Sequence, residues 1–487
     1  MAKNLIDGKR TKIVATVGPS SQSEDKVRSM IRAGMNVARI NFSHGAHETH
    51  RETIERIRRI AEEENAVVAI MCDMQGPKIR IGTVANEPLV VEPDDQITFT
   101  LDSVPGENGV ISLPHPEFIK DITSGMHLLL DDGNLDFVVE QASSRKLTCK
   151  VVVGGHLSSR KGVSAPTARL SLSAITDKDR VDIEFALAQQ CDYIAMSFVR
   201  SQEDIRELRW LIRHLGGEAG IIAKIEKHEA LDNIEEIIAI SDGIMVARGD
   251  LGVETPAEEV PYQQKRIIHL CNDASKPVIT ATQMLSSMVD NPRPTRAEAS
   301  DVFNAIMDGT DAVMLSNETA AGNYPVEAVE MMAKIAVIAE QSMWTNRTTN
   351  PRFHPINREG REAISNAVSQ ATYQIADTLK AKAIVTSTLT GYTSRLVAKE
   401  RPRTPVLCVT PSEITHRRMA LVWGVIPLLI PQFSSIDEMI TAVAQATRKA
   451  ELVNQGDSLV IIAGVPFGVG GQTNFLKIHV VGELGEI

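Results

Sequence analysis

Polar residues close a series of short apolar runs in this chain. NVARINFS supplies Arg39, Asn41 and Ser43, with His44 next; VVAIMCD ends in Asp73 and continues through Met74, Gly76 and Pro77 to Lys78 and Arg80. GIIAKIE carries Lys224 and Glu226, GIMVARG leads into Gly249 and Asp250, PVITAT ends in Thr282, and DAVML is followed by Ser316 and Glu318. Two carboxylates completed by substrate oxygens and water suit Mg²⁺, and Glu226 with Asp250 offers such a pair. Lys224 and Glu226 are two residues apart, so on a strand they share one face. A lysine beside such a metal, with Arg39 and Arg80 near, can hold a transferring phosphoryl group. The ARGDLG turn opens a helix and offers backbone N–H groups to a carboxylate. Together these point to a small phosphorylated carboxylic acid as substrate.

One polar strand end means little, since capping alone makes strand ends polar. Six of them need a scaffold that gathers strand tips. The runs 11–18, 36–43, 67–73, 193–199, 220–226, 243–249, 277–282 and 311–315 alternate with amphipathic helices. In SQEDIRELRWLIRHLG, for example, Ile205, Leu208, Ile212 and Leu215 fall on one face. Eight βα steps with strands apolar on both faces predict a (β/α)8 barrel, whose chemistry sits at the C-terminal strand ends.

The connection after the third run is far too long for a βα loop. PLVVEPDDQITFTLD, HLLLDDGNLDFVVE and KLTCKVVVGG within it alternate like strands, which predicts a small all-β domain over 83–166 inserted into a barrel spanning 1–82 and 167–345. It leaves and re-enters at the barrel's C-terminal face, where it is placed to act as a lid. TNRTTNPRFHPINREG reads as a linker, and 346–487 as an open α/β domain with strands in KAIVTST, PVLCVT, VIPLLI, SLVIIAG and FLKIHVVG.

A net charge of −11 argues against nucleic-acid or membrane partners, so an anionic substrate needs locally concentrated cations. Five widely spaced cysteines form neither a disulfide framework nor a zinc pattern and read as buried thiols in a reducing compartment. MAKNLIDGKRTK carries no signal-peptide pattern, and a cytoplasmic location is expected. The run Glu62-Glu63-Glu64 reads as a solvated face.

The strings TVGPSS, NVARINFSHG, DMQGPKIR, AKIE, MVARGDLGVE, ATQMLSSM, RPTRAE and MLSNETAAGNYP resemble those of pyruvate kinases, and the likeness runs over essentially the whole chain. The resemblance implies phosphoryl transfer from phosphoenolpyruvate to ADP, giving pyruvate and ATP, with Mg²⁺ or Mn²⁺ and a homotetramer. It assigns Lys224 to the transferring phosphoryl, Glu226 and Asp250 to the divalent ion, and Arg39 and Arg80 to phosphates. Gly249 and Asp250 face the substrate carboxylate; Thr282, with Ser316 and Glu318, serves protonation of the enolate. Arg80, Lys178, Asn41 and His44 fall to the nucleotide. Asn41, Ser43, Asp73 and the Met74 carbonyl match the family's monovalent-cation ligands.

One position departs from that pattern. Family members that need K⁺ typically have Glu where this chain has Lys78, and often Thr-Lys where it has Met74-Gln75. An ammonium on Lys78 would supply the ion's charge covalently, so turnover without K⁺ is expected. In STLTGYTSRLVAKE, Ser387, Thr388, Thr390, Gly391, Thr393 and Ser394 make a phosphate cradle at a helix start. The resemblance makes this a regulatory site. GVPFGVGGQTN (464–474) lacks the Trp-Arg element used for a second phosphate, so a monophosphate such as AMP or a sugar monophosphate is expected. The rival reading is a metal-dependent carbon–carbon lyase on the same barrel.

Overall fold

In a computed structural model of the protein, which describes residues 8–349, 360–467 and 472–482, eight parallel strands close into a barrel. They are Lys12–Thr16, Val37–Asn41, Ala69–Asp73, Tyr193–Met196, Gly220–Ile225, Gly243–Ala247, Val278–Ala281 and Ala312–Leu315. Each pairs with its sequence neighbours, and the first closes on the last with Lys12 opposite Ala312. The strands lie within the eight runs read from the sequence, and each is shorter than its run. Their apolar character on both faces has a direct cause. Ile13, Ile40, Ile70, Ile194 and Ile221 meet the surrounding helices. Val14, Val37, Met71, Tyr193, Ile222, Met245, Ile279 and Met314 fill the interior, and Ala420 and Leu421 of the C-terminal domain join that cluster.

The helices follow from local signals. Thr176 caps Asp177–Ala188, accepting from the Asp179 amide while the Asp179 carboxylate accepts from Thr176. In the helix Gln202–His214, Ile205, Leu208 and Ile212 are buried as expected. Leu215 is not: it lies just past the helix end, 37% exposed, and Leu211 takes the core place instead. Glu64 is also buried, held by Arg28 and Arg32, so the acidic run is not a wholly solvated face.

After the third strand the chain builds a six-stranded sheet, in the order Val163–Ser164, His127–Leu130, Leu135–Ala142, Lys146–Val153, Gln96–Thr100 and Val110–Ser112. Phe99 and Phe137 meet edge to face at 5.5 Å in its core. The helix Pro325–Thr349 continues into the segment read as a linker, and residues 350–359 of that segment lie outside the described residues.

The C-terminal sheet runs Val425–Leu429, Val406–Thr410, Ala383–Ser387, Ser458–Ala463 and Phe475–Val480, the last antiparallel. Its strand order reverses beside Ala383–Ser387, which puts a crevice at the carboxyl ends of Ala383–Ser387 and Ser458–Ala463. Arg401 fastens this domain to the barrel through a buried 2.9 Å ion pair with Asp311, its guanidinium 5.0 Å from the Trp423 ring centre. Among the described residues, no helix is long and apolar enough to cross a membrane.

Candidate active site

The period of two along each strand builds the site. Interior positions are apolar at the floor and turn polar at the mouth: Val14 leads to Thr16, Val37 to Arg39, Met71 to Asp73, Ala195 to Ser197, and Ile222 to Lys224 and Glu226. The result is a ring of charged and hydroxyl groups above a dry plug.

Lys224 is at the centre. Its Nζ donates to Ser197 Oγ at 2.6 Å and lies 2.7 Å from Glu226 Oε1 and 3.3 Å from Asp73 Oδ1. Arg39 Nε donates to the other Asp73 oxygen at 2.6 Å, and Arg39 Nη1 donates to Thr16 Oγ1 at 2.9 Å. Burial works against the Lys224 ammonium, but Asp73 and Glu226 outweigh it and hold the amine firmly protonated. Burial likewise pushes Asp73 up; Lys224 and Arg39 more than compensate and keep it below the usual carboxylate range. Glu226 ends above that range, raised by burial and by repulsion from Asp250 against the pull of Lys224. Asp250 is exposed, on the helix Arg248–Glu254 that follows the sixth strand.

Backbone strain marks two turns at the mouth. Phe198 has φ +59° and donates its N–H to Glu226 Oε2 at 2.9 Å. Thr282 has φ +64°, unusual for a β-branched residue, and its Oγ1 accepts from the Gly249 amide at 2.7 Å. Arg248 braces this turn by donating to the carbonyls of Ala281 and Thr282. Glu318 is buried and accepts from the amides of Ser316 and Leu285, tying the ends of strands seven and eight together.

The CDMQGPKIR segment is held from two sides. Asp179 Oδ1 accepts from the Gln75 and Gly76 amides, and the Met74 carbonyl accepts from Ser197 Oγ at 2.8 Å. Gly76, at φ +67°, packs against the strand-four turn, where an added Cβ would come within 2.7 Å of Phe198 Cδ2. Much of the Lys78 side chain is exposed, yet its ammonium is depressed by burial and by Arg80, with Asp250, Lys224 and Glu226 also within reach of its charge. Arg80 turns toward the inserted domain, donating from Nη1 to the Arg160 carbonyl and from its amide to His115 Nε2.

Among the residues expected at a nucleotide, Lys178 Nζ donates to the Phe42 carbonyl at 2.7 Å and pairs with Asp182 at 2.5 Å. The Asn41 side-chain oxygen accepts from the Ser43 amide, and His44 is exposed. Sequence reading passed over Thr16, Ser197, Phe198 and Asp179. For the first two a signal existed: each is a hydroxyl two residues beyond an interior apolar position on its strand.

A second cavity, of about 360 Å³, opens at the C-terminal crevice and is lined by Ser387, Thr388, Thr390 and Thr393, with Gln432 and Ser434 opposite. The Gly391 amide donates to Thr388 Oγ1, and Gly391 has φ +77°. Ser394 is fully buried and hydrogen-bonds to Thr386 at 2.7 Å, away from the lining. Within the 464–474 stretch, residues 468–471 lie outside the described residues.

Comparison with known proteins agrees with this geometry. The model of the pyruvate kinase barrel domain matches residues 8–329, and that of the pyruvate kinase alpha/beta domain matches residues 366–479. Pyruvate kinase 2 of Synechocystis sp. is 48% identical over 478 residues, covering 97% of this chain and 79% of the relative. Pyruvate kinase of Clostridium perfringens is 44% identical over 476 residues, covering 96% and 99%. The crystal structure of a pyruvate kinase from Cryptosporidium parvum superimposes with a TM-score of 0.88 at 34% identity, covering 98% of this chain and 97% of that one. With both domain models matched and near full-length relatives at this identity, the chain belongs to the pyruvate kinase family.

Proposed function

We propose that the barrel mouth moves the phosphoryl group of phosphoenolpyruvate to ADP, giving pyruvate and ATP in the last step of glycolysis. The observation that carries this reading is the largely buried Lys224 ammonium, held between Asp73, Glu226 and Ser197 with Arg39 alongside. As the bond between phosphorus and the enol oxygen breaks and the bond to the ADP oxygen forms, negative charge spreads over the three peripheral phosphoryl oxygens. A fixed cation that needs no reorganisation stabilises that state, and Lys224 and Arg39 are fixed by their partners. The enolate left behind takes a proton at carbon; Thr282, helped by Ser316 and Glu318 at the end of the eighth strand, serves that step or holds the water that performs it.

Glu226 and Asp250 fit a divalent ion. They are hard oxygen donors, and burial, with the Asp250 charge adding to it, raises Glu226 above its ordinary range, which a bound cation would offset. Bound there, Mg²⁺ or Mn²⁺ would supply Lewis-acid charge to the phosphoryl and enolate oxygens. The substrate carboxylate is assigned to the Gly249–Asp250 helix start, where it competes with Thr282 for the Gly249 amide. Arg80 and Lys178, with Asn41 and His44, take the nucleotide; both cations have protein partners that must yield first.

Lys78 supplies the positive charge that K⁺ would otherwise bring to Asn41, Ser43, Asp73 and the Met74 carbonyl, so monovalent activation is not required. The hydroxyl-lined C-terminal cavity takes a phosphorylated monoester, AMP or a sugar monophosphate, as a regulator. A cytoplasmic homotetramer is the assembly this reading implies. The lyase alternative leaves the inserted domain and the nucleotide-side residues without a task.

The test is a lactate-dehydrogenase-coupled assay with phosphoenolpyruvate, ADP and MgCl₂. ADP-dependent pyruvate and ATP in equal amounts support the proposal. Pyruvate formed without ADP, or none at all, refutes it.

A further inference from the structure

The fourth barrel strand, Tyr193–Met196, is gripped at both ends, and the two grips belong to different parts of the molecule. At its tip, Ser197 and Phe198 hold Lys224 and Glu226. At its base, Asp192 is fully enclosed. Its carboxylate accepts from Arg417 Nε at 2.7 Å, from Arg58 Nη2 at 2.9 Å and from the Ile70 amide at 2.8 Å. The Asp192 carbonyl accepts from Arg418 Nε at 3.1 Å, while Tyr193 Oη donates to the Arg418 carbonyl at 2.9 Å. Arg418 also donates to the Glu218 carbonyl.

Arg417 and Arg418 end the short helix Glu413–Arg418 of the C-terminal domain. The same helix touches the regulatory cavity: Thr415 Oγ1 donates to the Leu389 carbonyl at 2.6 Å. Leu389 and Thr390 line that cavity on one side. On the other they line a separate cavity of about 350 Å³ between the domains, shared with Tyr193, Thr415 and Arg418. A wall with open space on both faces can shift where a packed core cannot. Beyond the helix there is no slack. Asp192 is fixed by ion pairs, and strand four is hydrogen-bonded to strands three and five, so a displacement at its base moves its tip.

We propose that the Glu413–Arg418 helix is a positioning strut, which carries the state of the Leu389–Thr390 wall to Lys224 through Arg417, Asp192 and the fourth strand. The strut rests on the reading of the cavity as a regulatory site, and it makes Arg417 a positioning residue for the reaction although it touches no substrate. Neither end alone suggests this; the juxtaposition of Thr415 on the cavity wall and Arg417 on Asp192 does.

The test uses Thr415→Val, Arg417→Gln and the conservative Arg417→Lys in the full chain. AMP and glucose 6-phosphate serve as probes, with binding read by calorimetry. In the unaltered protein a bound probe shifts half-saturation by phosphoenolpyruvate. In Thr415→Val the probe is expected to bind within twofold of normal while that shift falls at least fivefold; a full shift overturns the strut. Arg417→Gln is expected to lower kcat per folded molecule at least fivefold with KM for phosphoenolpyruvate within twofold, and Arg417→Lys to return kcat to within twofold of normal. An unchanged kcat in folded Arg417→Gln overturns it. If neither probe binds the unaltered protein, the regulatory reading fails by itself, and the Arg417 pair judges the strut alone. Should Arg417→Gln not fold, hydrogen exchange over residues 192–197 in Thr415→Val reads the same link: protection lowered at least fivefold supports it, and unchanged protection overturns it.

Discussion

Lys78 offers the sharpest prediction because its replacement should change which ions the enzyme needs. The segment carrying it is pinned by Asp179 and Ser197, so a substitution there alters charge more than backbone. Its ammonium interacts with Asp250, Lys224 and Glu226, the groups assigned to the metal and the phosphoryl. Much of the side chain is exposed, so an effective dielectric near 40 is apt; two unit charges roughly 6 Å apart in such a medium are worth about 1.4 kcal/mol, or roughly tenfold in rate. Lys78→Gln removes one charge and is expected to lower kcat/KM about tenfold in K⁺-free buffer. Lys78→Glu reverses the charge and is expected to cost about a hundredfold, most of it restored by KCl. The assay is turnover in tetramethylammonium-balanced buffer titrated with KCl. The unaltered protein should gain less than about twofold, since its positive charge is already present. A tenfold or larger gain on adding KCl to the unaltered protein would refute the reasoning. A pH effect follows with a definite sign. Burial and Arg80 lower the Lys78 pKa, so the proton leaves at lower pH than from a free lysine, and each loss removes the charge that stands in for K⁺. K⁺-free activity should therefore fall early on the alkaline side, and KCl should restore it there.

Two further outcomes follow from named contacts. Ser197→Ala removes an acceptor from the Lys224 ammonium and a donor from the Met74 carbonyl, so the protein is expected to lose about 1.5–3 kcal/mol in denaturant titration, with kcat falling as well because Lys224 loses one of the partners that fix it. Arg401→Met leaves Asp311 buried without its cation and is expected to destabilise the protein by about 3–5 kcal/mol in denaturant titration, with little direct effect on chemistry; a loss under 1 kcal/mol would contradict the interdomain role.

Much of the barrel was legible because its strands are apolar on both faces, a pattern that few other scaffolds impose. Charge at strand ends drew attention to Arg39, Asp73, Lys224 and Glu226, which the barrel brings into contact, whereas Asp250 lies on the helix Arg248–Glu254 beyond its strand. Thr16 and Ser197 escaped notice because a hydroxyl ending a strand is ordinary. Only closure of the barrel reveals that Ser197 Oγ lies between Lys224 and the Met74 carbonyl. Leu215 was misread because the hydrophobic stripe outlasts the helix, which ends at His214. Glu64 was misread because its partners Arg28 and Arg32 sit on another helix, a relation that no local run displays. The engagement of Arg80 by the Arg160 carbonyl is likewise tertiary, contributed by the inserted domain.

The central claim is that one largely buried ammonium, fixed by the tips of separate strands, grips the phosphoryl group in transit. Lys224→Met tests it most directly, with ATP formation from phosphoenolpyruvate and ADP measured beside Mn²⁺ binding to the same protein. The account predicts a fall in kcat of about a thousandfold or more while Mn²⁺ still binds through Glu226 and Asp250. ATP formation within tenfold of the unaltered protein would contradict it.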